Sequence, residues 1–290
     1  MTAPNFKIGL LAALGMVAIW TGFVVFGRLG IVGGMTPYDI VALRFIVAGA
    51  LTLPVCIAWW PRHLPLKIQA MAAICGPGAV YSILAFSGLA QTSAAHAGVF
   101  SNGSLPIAVM LLSLAVLGAV PGRAQLVSTA VILIGSLLVG WHGITAGGAD
   151  VAAGIAFFVA GSVVLSMYMV AVRVWQISPY QALAMVNIPN ALVFLPLWYF
   201  ALPSGMAETG ITVLLAHALF QGIGPGFCAL MLFTVANYHL GAGPTAAISA
   251  AVPALAALMA IPVLGEIPSP LEWIGIVIVC AGLGLLIRAR

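Results

Sequence analysis

The sequence predicts an all-α integral membrane protein, ten transmembrane helices arranged as two inverted five-helix repeats around a central cavity. Three observations predict it. Of 290 residues, 63% are hydrophobic and only 5% charged, with a mean hydropathy of +1.23; a soluble domain carries about 25% charged residues. Ten apolar stretches of membrane-spanning length follow one another with short connections. The chain also repeats itself. Thr36-Pro37-Tyr38, with Pro54 sixteen residues after the tyrosine, returns as Ser178-Pro179-Tyr180 with Pro196. Gly76-Pro77-Gly78 returns as Gly224-Pro225-Gly226, and Pro106 with Leu117-Gly118 returns as Pro253 with Leu264-Gly265. The offsets are 142, 148 and 147 residues, so the halves align with few gaps. Five spans per half set the second copy upside down relative to the first, the arrangement in which two similar halves share a central site open to either side.

The stretches lie near 8–26, 38–60, 68–90, 94–118, 125–141, 151–172, 180–202, 211–236, 244–265 and 271–287. Each suits a helix of about 17–25 residues. The runs are continuous and do not alternate, which excludes barrel strands. The first resembles a signal peptide but is longer than an h-region, and Gly27-Arg28 follows it without a small-x-small cleavage pattern, so it reads as a retained helix. Ten spans place both termini on one side with Lys7, Arg62, Lys67, Arg123, Arg173, Arg288 and Arg290, against Arg28 alone in a loop opposite; that bias makes the terminal side cytoplasmic in a bacterial inner membrane. All five acids, Asp39, Asp150, Glu208, Glu266 and Glu272, fall on the other side. Six of the seven tryptophans mark span ends; Trp20 alone lies mid-span.

The function classes narrow by absence. Cys56, Cys75, Cys228 and Cys280 are widely spaced in apolar stretches and read as packing residues, not a disulfide or zinc framework. The basic residues are scattered, which gives no nucleic-acid footprint. No metal motif, phosphate-binding loop or dinucleotide fingerprint occurs, so no cofactor, metal or catalytic group is expected. A membrane-embedded enzyme would have only Glu266 and Glu272 to use.

Polar residues at depth nominate the site, because a polar group in hydrocarbon needs a partner or water. Trp20, Tyr81, Ser82, Asn102, Ser162, Asn187, Gln221 and Ser249 are the candidate substrate-binding residues, with Asn102 and Ser249 equivalent in the repeat. Each also has a plainer role open to it: serine bonding back to its own helix, asparagine and glutamine gluing helices, aromatics filling a core. Spans 5 and 10 have almost no polar atoms in their middles, which predicts a peripheral or purely packing role. Pro77, Pro106, Pro225 and Pro253 occupy matching places and are either hinges or static kinks. His217 is either a proton carrier or a neutral partner of a neighbouring helix. Arg44, about 10 Å into span 2, either snorkels outward to the interface, forms a structural ion pair with Glu266 or Asp39, or binds substrate; the ion pair is the expectation. No span carries an acid at its centre, which weighs against strict proton coupling.

From Thr245 onward the chain reads T-A-A-I-S-A-A-V-P-A-L-A-A-L-M-A-I-P-V-L-G-E, then E-W-I-G-I-V-I-V-C-A-G-L-G-L-L from Glu272. This resembles the second EamA repeat of the drug/metabolite transporter superfamily. Ala42-Leu43-Arg44-Phe45 followed by Ala48-Gly49-Ala50-Leu51 resembles span 2 of the first repeat, and Ile19-Trp20 its span 1. The chain is similar overall to bacterial YddG-type exporters of aromatic and other neutral amino acids. The resemblance implies a cavity formed by spans 1, 3, 4, 6, 8 and 9, with spans 5 and 10 outside. Where the family often has an acid in the first copy, this chain has Ala119, so Glu266 carries any such role alone. The expectation is therefore a monomeric exporter of neutral amino acids working by alternating access, with repeats at 1–145 and 146–290. The alternative is a multidrug or other small-metabolite exporter. The partners are a small solute and the lipid bilayer.

Overall fold

The structure, a computed structural model, describes residues 5–240, 245, 248–249 and 251–288. Regular structure among them is entirely helical. The elements are α1 (Phe6–Val32), α2 (Pro37–Thr52), α3 (Cys56–Trp59), α4 (Leu66–Cys75), α5 (Ala79–Gln91), α6 (Ala94–Leu117), α7 (Arg123–Val174), α8 (Pro179–Ala201), α9 (Ile211–Ile223), α10 (Ala229–Leu240), α11 (Val252–Leu264) and α12 (Pro270–Arg288). Eight segments are long and apolar enough to cross a bilayer, and the shorter apolar helices Val252–Leu264 and Pro270–Leu285 stand where spans 9 and 10 are expected. Part of the stretch assigned to span 9, and Arg290, lie outside the described residues. Large apolar side chains such as Leu11, Ile57 and Phe200 are 71%, 74% and 82% exposed, an outer surface suited to lipid and not to water.

Most of the repeated motifs are helix boundaries. Thr36 caps α2, its hydroxyl accepting from Asp39 N while the Asp39 carboxylate accepts from Thr36 N, and Pro37 occupies the first turn. Ser178 and Gln181 form the same reciprocal box on α8 behind Pro179. Both copies thus spell a capping box with proline just inside the helix. At the other motif, Gly118 and Gly265 end α6 and α11 with φ of 64° and 70°, the left-handed cap that glycine adopts without steric penalty.

The two Gly-Pro-Gly segments differ. The first opens the chain between α4 and α5, with Gly76 and Gly78 extended. The second stays helical as a π-turn over Gly224–Cys228 between α9 and α10. Each exposes backbone groups inside the bilayer, where they need partners. Asn190 of α8 supplies them for the first: its Oδ1 accepts from Ala79 N at 2.9 Å and its Nδ2 donates to Ala73 O at 2.9 Å. Arg44 of α2 donates to Pro77 O at 2.8 Å. Asn187, one turn from Asn190, donates to Gly226 O in the second at 3.2 Å.

Glycine contacts set the helix pairings, since small residues allow close approach. Along α1, Gly9, Gly15, Gly22 and Gly30 abut His239, Leu232, Phe220 and His217 in turn, so α1 runs antiparallel to α9–α10. Gly154, Gly161 and Tyr168 of α7 likewise meet Gln91, Leu84 and Gly76, so the second arm of α7 runs antiparallel to α4–α5. Gly135 of the first arm faces Gly275 of α12. Within α7 the helix is interrupted at Gly148 (φ 64°), beside the junction of the two apolar segments Arg123–Thr145 and Gly147–Val172.

Two expectations are corrected. Arg28 is not in a loop: α1 continues to Val32 because Glu266 pairs with the guanidinium and Gly27 packs on Phe86. Pro253 does not bend a helix interior, as Pro106 does; it sits in the first turn of α11, where its missing N–H costs nothing.

Asn190→Ala strips partners from a buried N–H and a carbonyl together. It is expected to destabilise the protein by about 2 kcal/mol or more, read as a lower detergent-solubilised melting temperature. The exposed Asn5→Ala at the start of α1 is expected to cost about 1 kcal/mol, as the loss of a single cap does.

Candidate functional site

A cavity of about 320 Å³ lies between the helices. α1 contributes Trp20, Phe23 and Val24, and the broken α4–α5 span contributes Pro77, Tyr81 and Ala85. α6 presents Ser101, Asn102 and Leu105, and α7 presents Phe158, Tyr168 and Met169. Pro225, Leu230 and Phe233 come from the α9–α10 span, and Val252 from α11. These are spans 1, 3, 4, 6, 8 and 9; nothing from α8, α12 or the first arm of α7 reaches the wall, and α2 adds Arg44 alone. The walls are mostly apolar and aromatic, with Trp20 and Phe233 rings 6.1 Å apart. Few polar groups on apolar walls is the usual makeup of a small-molecule site.

Of the eight residues nominated from sequence, Trp20, Tyr81 and Asn102 line this cavity. The Asn102 Nδ2 donates to Gly98 O one turn back, leaving Oδ1 to accept from a ligand. The others stand behind the wall. Ser82 is fully buried and accepts from Arg44 Nη1 at 2.8 Å. Ser162 accepts from Ser104 Oγ at 2.9 Å and donates to Ser101 O, tying α7 to α6. Asn187 donates to Thr52 Oγ1 as well as to Gly226 O. Gln221 is fully buried with no partner for its amide among the described residues, and Ser249 is half-buried outside the lining. His217 is buried against Gly30 and Phe26, also away from the cavity. Polarity scanning passed over Phe23, Phe158, Tyr168 and Phe233; the signal that finds them is aromatic residues on spans already marked by proline breaks.

The expected Arg44–Glu266 pair is not formed. Glu266 Oε1 accepts from Arg28 Nε at 2.7 Å, and its Oε2 accepts from Ala94 N at 2.8 Å, at the start of α6. Arg28 Nη1 also donates to Leu89 O at 2.7 Å near the end of α5. One carboxylate and one guanidinium thus clamp α1, α5, α6 and the segment after α11. The physical reason is placement: Glu266 follows the α11 cap directly and faces a helix N-terminus, where a negative charge is favoured. Asp39, the other proposed partner, instead accepts from Trp198 Nε1 at 3.0 Å and Gly205 N at 2.8 Å.

Beside this clamp a second pocket, about 470 Å³, is lined by Arg28, Gln91, His96, His142, Glu266 and Glu272 among others. Glu272 lies 3.8 Å from both His96 Nε2 and His142 Nδ1. Among the described residues no three His, Cys, Asp or Glu side chains form a metal-holding group.

The sequence pattern of the EamA-like transporter family matches residues 7–141 and matches again at 152–288. The chain belongs to the EamA-like transporter family. A Bacillus subtilis (strain 168) protein described as the uncharacterized transporter YwfM is 28% identical over 258 residues, covering 86% of this chain and 83% of its own length. A protein of known crystal structure shares the fold with a TM-score of 0.66 at 19% identity, covering 97% of this chain and 96% of its own. The chain is therefore a membrane transporter of small metabolites, and an enzyme is the less supported class.

The clamp is testable by a double-mutant cycle. Arg28→Gln and Glu266→Gln are expected to couple by about 1–2 kcal/mol in thermal stability, whereas Arg44→Gln and Glu266→Gln are expected to be additive.

Proposed function

We propose that this transporter exports neutral amino acids with apolar or aromatic side chains across the bacterial inner membrane, by alternating access between two inverted five-helix halves at 1–145 and 146–290. The observation that carries the reading is the cavity itself: about 320 Å³, aromatic on its walls, with Asn102 and Tyr81 as polar groups. Its size lies at the small end of ligand pockets, which suits an amino acid better than a large drug. Trp20 and Tyr81 stack against the side chain, and Asn102 bonds the polar head.

The inverted arrangement draws support from reciprocal pairing. α1 pairs antiparallel with the α9–α10 span, and the second arm of α7, its counterpart, pairs antiparallel with the α4–α5 span. Each half thus lends its first span to the other half's third span, so the cavity is built by exchange. Pro77 and Pro225 line it from equivalent helix breaks and serve as the places where the halves flex. Pro106 bends α6, and Pro253 starts α11. The excess of Lys and Arg near the terminal side supports cytoplasmic termini.

Counterflow of labelled phenylalanine, leucine and alanine in proteoliposomes tests the reading. Trp20→Ala and Asn102→Ala are each expected to weaken apparent affinity about tenfold, the equivalent of ~1.4 kcal/mol. Purified protein that moves cationic drugs or sugars but none of these amino acids would refute the substrate assignment.

A further inference from the structure

We infer that Arg44 is the carboxylate-recognising group of the central cavity, so that the solute carried bears a carboxylate beside its apolar portion. This rests on the transporter reading above and specifies the ligand chemistry of that same cavity.

The inference follows from where the negative charges are. The chain has five acidic side chains, all within the described residues. Glu266 is engaged by Arg28 and caps α6, Asp39 is held by Trp198 and Gly205, and Glu272 lies against His96 and His142 while capping α12. Asp150 and Glu208 are exposed. None forms an ion pair with Arg44, which is only 3% exposed. Its guanidinium meets neutral partners alone: Nη1 donates to Ser82 Oγ, Nη2 donates to Pro77 O, and its charge lies 5.6 Å from the centre of the Phe45 ring. Its Nε–H has no acceptor among the described residues.

A buried cation with no anion is costly, and an ionisable residue inside a membrane bundle marks a ligand path by default. Arginine does not shed its proton to escape that cost. Structure alone does not require a charge here, since a neutral donor would satisfy Pro77 O and Ser82. What distinguishes Arg44 is position: α2 contributes no other residue to the cavity wall. Two of its five N–H groups are committed to holding the fork in place. The remainder have no acceptor among the described residues, and a planar carboxylate is the anion whose geometry a guanidinium matches best. In the same cavity Trp20, Phe158 and Phe233 offer the apolar surface for the rest of the solute.

The test compares ligands that differ only at the acid. Phenylalanine, 3-phenylpropionate and 3-phenylpropionamide compete for counterflow of labelled phenylalanine in proteoliposomes, and their binding is read separately by thermal shift. Wild-type protein is expected to prefer 3-phenylpropionate to its amide by tenfold or more. Arg44→Gln is expected to reduce that preference to near unity. If Arg44→Gln does not fold, Arg44→Lys, which keeps the charge but not the fork, is expected to reduce it several-fold. No preference in wild type, or an unchanged preference in either folded variant, overturns the inference. If phenylalanine is not moved, the amino-acid reading fails, and the acid-to-amide preference in thermal shift then decides Arg44 by itself. Equal shifts, or none from either ligand, overturn the carboxylate assignment too.

Discussion

Backbone groups freed inside a bilayer have no water to turn to, and this constraint organises the fold. The chain breaks one central span outright at Gly76-Pro77-Gly78 and loosens another into a π-turn at Gly224–Cys228. Both breaks border the cavity through Pro77 and Pro225. Both are splinted from behind by α2 and α8, the second span of each half. Asn190 and Arg44 hold the first break, and Asn187, anchored on Thr52, holds the second. α2 also closes on the second, with Val47 and Ala48 against Gly222 and Gly226. The polar residues of α8 are therefore structural because the cavity is shaped by broken helices: irregular backbone is tolerated at depth only when protein covers it.

The halves share boundary motifs but not their ends. The capping boxes at Thr36 and Ser178 and the left-handed caps at Gly118 and Gly265 recur almost unchanged. The residue after the second cap does not: Glu266 corresponds to Ala119. That one difference places a clamp at the end of the bundle where α1 finishes and gives the equivalent position of the first half nothing to clamp with. The Arg28 and Glu266 side chains are 20% and 22% exposed, so the pair is neither screened like a surface bridge nor desolvated like a core one. A pair in that regime stabilises the end of the bundle where α1 finishes while staying partly hydrated.

Much of the architecture was legible from sequence because hydrophobic length, capping chemistry and glycine caps are local signals. The place of spans 5 and 10 away from the cavity was legible as well: their middles carry few polar atoms, and they meet through Gly135 and Gly275. The site was legible only in outline. Trp20, Tyr81 and Asn102 face the cavity, but Ser82, Ser162 and Asn187 do not, and nothing in a one-dimensional string separates a serine that binds a ligand from one that satisfies a neighbouring helix. Polarity at depth shows that a partner exists, not which one. The phenylalanines of the wall were missed for the converse reason: lipid, core and ligand all present apolar surface to them. Both acids within Arg44's reach along the membrane normal are engaged elsewhere: Glu266 serves the terminus of α6 and Arg28, and Asp39, on α2 itself, is held by Trp198 and Gly205.

The composition of the cavity bears on what it can discriminate. An apolar wall separates solutes by fit, and one methylene more or less is worth only about 1–3 kcal/mol. Aromatic walls are more forgiving still, since ring faces accept many shapes. Hydrogen-bonding groups are far more exacting, because a solute that fails to engage them leaves them buried and unpaired. With Trp20, Phe23, Phe158 and Phe233 on the walls and only a few polar groups among them, selectivity on the proposed reading is broad in the side chain and strict in the head group. The fold reinforces this division. On that same proposed reading the aromatic wall is spread over several spans that shift relative to one another during transport, whereas Arg44 is tied to the helix break itself through Pro77 O.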